Sequence, residues 1–193
     1  MEAGRSHEDP GRPGQDEDAL RELSLAYATA ADARDGEILA ALFVEDGALV
    51  VPKYPVDLHP VVTRSGPDAL RQVAEMLGRY DRTFHVVGDA RFEVKGEHAS
   101  GEVQCVAHHV TAAEEAPGGS MGAGPSAPAG AAAPAGTAVP AGTAAPAGTD
   151  MVWFIRYRDQ YRRTGLGWKF VRRELHLQWV EEHPVRVLGV RSE

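Results

Sequence analysis

Two long runs, TFHVVGDARFEVK (83–95) and ASGEVQCVAHHVTA (99–112), are separated only by Gly96, Glu97 and His98. Both alternate apolar and polar residues, and a short glycine-containing connection between such runs makes an antiparallel hairpin. Successive strand side chains point to opposite faces, so the pair His108–His109 is split between them. Val103, Cys105 and Ala107 are small and apolar, which puts His109 on the inner face and His108 on the outer. A three-residue GEH loop places Lys95 opposite Ala99 and His85 opposite His109. A two-residue loop would instead set His85 against His108, and a bulge would shift the ladder again. The first register agrees with the alternation and is the one expected.

The rest of the chain arranges itself around that hairpin. DEDALRELSLAYATAADARDG has acidic residues in its first turn, as the helix dipole favours, and Leu20, Leu23, Tyr27 and Ala30 at helical spacing. The helix is expected to end near Arg34–Gly36, with Gly36 as its stop. EILAALFVEDG reads as a second short helix and ALVV as a short strand. Residues 52–66, with three prolines, read as a long loop. Ser65 is placed to cap a helix over GPDALRQVAEMLGRY. MVWFIRYRDQYRRTGLGWKFVRRELHLQWV forms two aromatic-rich strands with a turn around Thr164–Gly167. Helices first and an antiparallel sheet afterwards indicate an α+β domain.

Residues 112–150 are different material. PAGAAA, PAGTAV, PAGTAA and PAGT begin at Pro128, Pro134, Pro140 and Pro146. Small residues with a regular proline bury no core, so a flexible insert is expected. Glycine at every third position, which collagen requires, is missing. Residues 1–16 read as a disordered tail, residues 17–183 as one interrupted domain, and residues 184–193 as a C-terminal tail.

Composition limits the function. Net charge is −8 with no basic stripe, which speaks against nucleic acid. Much of the acid sits early, at Glu2, Glu8, Asp9, Asp16, Glu17 and Asp18. One cysteine, Cys105, allows no internal disulfide. Neither a leader-like apolar stretch at the start nor a run of ~18 apolar residues occurs, so a cytoplasmic protein without membrane attachment is expected. A metal site built on His85, His109 and Asp89 or Asp32 lacks HxH, HExxH or CxxC spacing, so no metal is expected. Neither GxGxxG after a strand nor GxxxxGK[ST] is present to bind a nucleotide.

Two inward imidazoles could divide the acid and base steps of a proton transfer. Asp32 is a second candidate, a carboxylate near the end of an otherwise apolar helix. Tyr27, five residues earlier, lies about 140° around the helix and could supply a hydroxyl to the same cavity. Alternation in VRRELHLQW sets Val171, Arg173, Leu175, Leu177 and Trp179 on one face. Arg173 in that apolar series calls for an anionic or carbonyl partner, Asp32 or a substrate carboxylate. Tyr54 and Tyr157 are further substrate-binding candidates. Asp35 and Asp46 read as structural.

Four segments together resemble the SnoaL-like branch of the nuclear transport factor 2-like superfamily. They are AYATAADARDGEILAALFVEDGALV, GPDALRQVAEML, FHVVGDARFEVKGEHASGEVQCVAHH and YRDQYRRTGLGWKFVRRELHLQW. The resemblance implies a cone, a curved antiparallel sheet wrapped around helices over a deep pocket. It also implies cofactor-independent lyase or isomerase chemistry on a hydrophobic, cyclic or polyketide-like molecule, and a homodimer or homotrimer. Non-catalytic binding modules share the fold. The family's scytalone dehydratases carry histidines at the positions matching His85 and His109, with a glycine matching Gly101. The set Tyr27, Asp32 and His85 resembles that of bile acid 7α-dehydratase. The tyrosine that scytalone dehydratase has just before its aspartate is replaced here by Ala31. Its second pocket tyrosine falls near Val51, and its serine and asparagine near Ile155 and Tyr157.

Overall fold

The structure, a computed structural model, describes residues 14–112 and 148–186. Residues 1–13, 113–147 and 187–193 lie outside the described residues, and with them most of the expected disordered tail and flexible insert. In chain order the elements are α1 (Gln15–Ala33), α2 (Gly36–Ala41), β1 (Phe43–Lys53), β2 (Asp57–Ser65), α3 (Gly66–Leu77), β3 (Arg82–Lys95), β4 (His98–Ala112), β5 (Gly148–Thr164) and β6 (Gly167–Val185). The six strands form one curved sheet in the order β2-β1-β6-β5-β4-β3. All neighbours are antiparallel except β1 and β6, which run parallel.

Several local expectations are corrected. The first helix starts at Gln15, so Gln15 and Asp16 belong to the fold rather than to a tail. Asp16 accepts bonds from Trp168 Nε1 at 3.0 Å and Arg163 Nη2 at 2.6 Å, fastening the helix start to the β5–β6 turn. α1 ends before Gly36. Arg34 takes the left-handed conformation (φ 57°), and Asp35 caps α2 by accepting the Ile38 N–H at 2.9 Å. Asx side chains compete well for such cap positions, so a helix can restart two residues after the last one ends. Residues 52–66 are no loop: β1 runs to Lys53 and β2 starts at Asp57. Pro52 faces Pro60 where the ladder is irregular, so the prolines that suggested a loop sit at a bulge. Ser65 occupies the cap position of α3, without a side-chain bond, and α3 stops at Leu77. The strand ends also run into the segments assigned to the insert and C-terminal tail, to Ala112, Gly148 and Val185.

The β3–β4 hairpin needs the largest correction. Lys95 faces His98 across a two-residue turn in which Gly96 has φ 61°. That register alone would have put His85 opposite His108. Between Val87 and Ala90 the ladder slips, so that Gly88 and Asp89 oppose Gln104 alone. The bulge restores parity: His85 faces Ala107, and His109 faces Thr83. His85 and His109 therefore share the inner face as diagonal neighbours rather than as a direct pair. Gly101 lies under Phe92, where an added Cβ would stand 2.6 Å from the ring. Its missing side chain lets Phe92 cross the strand and meet Tyr161 edge-on at 6.0 Å.

The inner face packs on α1 and α3. Leu20, Leu23, Tyr27, Leu39, Leu70, Val103, Ala107, Ile155 and Phe170 are buried together there. Bulges near Phe170 and Leu177 rotate the ends of β6, so Val171 and Trp179 leave the face of Arg173. Trp179 stacks on Phe154 at 4.2 Å and is half exposed on the other face. His108 is also on that outer face, bonded through Nδ1 to Asp150 at 2.7 Å.

Candidate active site

α1, α3, the β1–β2 hairpin and the inner face of the sheet enclose a cavity of about 620 Å³. That volume falls within the range of small-molecule sites. Its floor and walls include Tyr27, Leu49, Tyr157, Ile155 and Leu175, which are apolar or aromatic. His85, His109, Tyr80 and Trp153 form one side, and Tyr54, on the β1–β2 turn, forms part of the edge. Tyr54 packs on Trp153 with centroids 5.5 Å apart.

Asp32 stands beside β3 because α1 ends there. Its Oδ1 is 2.6 Å from His85 Nδ1, and its Oδ2 accepts the His85 backbone N–H at 2.8 Å. One carboxylate thus holds both the ring and the main chain of the same residue. Burial pushes the Asp32 carboxyl up, but the bonds from the His85 ring and backbone outweigh it and hold the pKa below the usual value. An ionised Asp32 only accepts, so the hydrogen between the two belongs to Nδ1 of His85, and Nε2 is the ring nitrogen that Asp32 does not engage.

His109 is buried, as the alternation requires, with its ring between Tyr80 (4.8 Å) and Trp153 (4.9 Å) and at right angles to His85 (6.0 Å). Nδ1 lies 3.2 Å from the Met151 carbonyl oxygen, which needs a donor, so that nitrogen holds the proton. Burial, with the neighbouring His85 adding to it, lowers its pKa to about 4. At neutral pH His109 is therefore an uncharged ring with an accepting Nε2, a poor acid. The unfolded residue takes up a proton near 6.5 and the folded one near 4. Between those values the unfolded state binds more protons, so stability falls as pH drops through that window. A thermal melt series from pH 7 to pH 4 should show a declining Tm, with a shallower decline in His109→Gln.

Tyr27 is buried on the cavity floor, edge-on to Phe43, Tyr157 and Phe170 at 6.0–6.3 Å. Burial raises its pKa to about 12, so the hydroxyl stays protonated and keeps a hydrogen to donate. Arg173 does not belong to the lining of this cavity. It is 1% exposed, with Nε and Nη2 on the two oxygens of Asp159 at 2.9 and 2.8 Å, and Nη2 3.2 Å from Ser24 Oγ. Its guanidinium stands 4.1–4.5 Å from the ring centres of Tyr27, Tyr157 and Phe170. Arg173 supports the floor from beneath, and its partner is Asp159 rather than Asp32.

Sequence reasoning overlooked Trp153, Tyr80 and Arg64. The signal for Trp153 was present: Met151, Trp153, Ile155 and Tyr157 alternate along β5 onto one face. Arg64 stands on β2, within the stretch whose prolines give the sequence the look of a loop. Among the described residues no group of three His, Cys, Asp or Glu side chains is placed to hold a metal ion. No helix among them is long and apolar enough to cross a membrane.

The model of the SnoaL-like domain matches residues 14–174. The chain belongs to the SnoaL-like family. No curated protein matches it in sequence. Among solved structures, a candidate scytalone dehydratase from Novosphingobium aromaticivorans is 21% identical, with a TM-score of 0.59 over 92% of this chain and 93% of that one. A candidate aromatic ring hydroxylase from the same organism is 17% identical, with a TM-score of 0.61 over 87% and 93%. Hexachlorocyclohexane dehydrochlorinase LinA-type3 from Novosphingobium barchaimii is 13% identical, with a TM-score of 0.60 over 90% and 94%. At these identities the likeness speaks for the fold alone. The SnoaL-like fold accounts for the cavity, and the side chains lining it must supply the argument for chemistry.

Proposed function

We propose that this SnoaL-like domain is a cofactor-independent lyase or isomerase, with His85 as the general base and Asp32 as its positioning partner. The observation that carries this reading is the double contact of Asp32 with the His85 ring and backbone, on the wall of a largely apolar cavity. Nε2 of His85 takes a proton from a carbon next to a carbonyl, and the imidazolium formed stands against the Asp32 carboxylate. The Tyr27 hydroxyl donates to the enolate oxygen that develops. His109, uncharged, accepts a bond from a substrate hydroxyl and orients it. The enolate then expels a β-hydroxyl, which leaves as water with the proton returned by His85. Alternatively it is reprotonated at another carbon, or its carbon attacks a second carbonyl. These are dehydration, isomerisation and cyclisation, and all share the first step.

Of the three outcomes we favour elimination, the kind of reaction named in two neighbours of the same fold, a candidate scytalone dehydratase and a hexachlorocyclohexane dehydrochlorinase. The apolar lining and the cavity volume favour a cyclic, hydrophobic substrate.

The first step can be tested without knowing the product. The protein should catalyse exchange of the protons beside the carbonyl of 2-tetralone in D2O, followed by NMR. His85→Ala should abolish that catalysis, and Asp32→Ala should cut it strongly. Exchange that survives both changes would sink the proton-transfer scheme and leave a binding module.

A further inference from the structure

The cavity is electrostatically one-sided. Lys53, Arg64 and Arg79 line it, and no Asp or Glu does among the described residues, although the chain as a whole carries −8. Among the described residues none of the three forms an ion pair. Arg79 lies over the Tyr80 ring at 4.9 Å, and Arg64 Nη2 stands 3.9 Å from the sulfur of Met76. Many other arginines of this protein are paired with carboxylates, Arg71, Arg163, Arg172 and Arg173 among them.

Two donors in the same lining are buried with no acceptor, Arg64 Nε and Trp153 Nε1. Buried polar atoms are almost always paired, so each exception calls for an explanation. Neither a guanidinium nor an indole N–H can accept, so only an acceptor can complete them. The two residues stand on different strands, β2 and β5, and both belong to the cavity lining. The His85 and His109 rings add no fixed negative charge, and Asp32 is already engaged by His85.

Resting on the proposed function, we infer that the substrate is a hydrophobic carboxylate, held through its charged group by Arg64 with Trp153 as a second donor. A planar guanidinium suits a carboxylate because it can offer two parallel N–H bonds. Lys53 and Arg79, more exposed, draw the anion toward the site.

Calorimetric titration with 2-naphthoate and 2-naphthamide, which match in shape and differ in charge, tests the assignment. The carboxylate should bind roughly tenfold tighter or better, from the usual strength of charge-assisted hydrogen bonds. Arg64→Met should erase most of that preference, Arg64→Lys should keep part of it, and Trp153→Phe should weaken both ligands. Circular dichroism and the binding of the amide report whether each variant remains folded. Equal or tighter binding of the amide by the unaltered protein would overturn the inference, as would a preference undiminished in folded Arg64→Met. His85→Ala should retain the preference while losing proton exchange from 2-tetralone, so the failure of the base and the failure of the anion site are told apart.

Discussion

Asp159→Ala should destabilise the fold by about 3–5 kcal/mol, the usual cost of stranding one member of a buried ion pair. Asp159 and Arg173 are 3% and 1% exposed and joined by two bonds of 2.8 and 2.9 Å. Burial works against the Arg173 charge and the Asp159 carboxylate outweighs it, so the guanidinium stays protonated. Removing Asp159 also takes the acceptor from the Tyr161 hydroxyl, 2.8 Å away. A domain of this size is stabilised by only about 5–15 kcal/mol, so the variant should melt far lower or fail to fold. The double change Asp159→Leu with Arg173→Met removes both charges together. It should recover most of the loss in urea unfolding, since apolar replacement of a whole buried pair is often neutral or better. Were the single variant as stable as the parent, the pair would not be bearing on the fold. Because Tyr27 and Tyr157 rest on the guanidinium, the single variant should also loosen the cavity floor.

The other large effect is catalytic. His85→Ala should lower turnover by about 10²–10⁴-fold, the range for losing a positioned general base. Asp32→Asn should lower it by a similar factor with KM little changed. An asparagine side chain keeps the shape but cannot stabilise the imidazolium. It can also present an N–H to the ring and so favour the other tautomer, which takes the lone pair away from Nε2. Tyr27→Phe should cost less, because one neutral donor to the enolate is lost while base and cavity remain. Melting each variant separates this from misfolding, since His85 lines the cavity and Asp32 is bonded to it at the end of α1 rather than in the packed centre.

Much of this was legible in the sequence because periodicity is a local property. The inner position of His109 followed from Val103, Cys105 and Ala107 two residues apart, and the hairpin followed from its glycine turn. The pairing of His85 was not legible, for a definite reason. A two-residue turn and a bulge at Gly88–Asp89 each shift the ladder by one, and nothing local reveals that both occur. The face on which both histidines stand came out right, while the residue opposite each did not. Prolines misled more severely. Pro52 and Pro60 meet at a bulge, so a chain rich in them still forms a hairpin, and Arg64 was lost with it. The partner of Arg173 is fourteen residues away across a hairpin, and finding it required the β5–β6 register. Asp32 and His85 are 53 positions apart, and only the resemblance to the family joined them in advance.

The central claim is that Asp32 and His85 act as one unit in proton transfer. Groups that work together are strongly non-additive, since losing either disables both. The decisive measurement is the rate of hydrogen–deuterium exchange beside the 2-tetralone carbonyl for Asp32→Asn, His85→Ala and the double variant. The account predicts that the double variant is no slower than His85→Ala alone. A double variant slowed by the product of the two single factors would contradict it, because the carboxylate and the imidazole would then be acting independently.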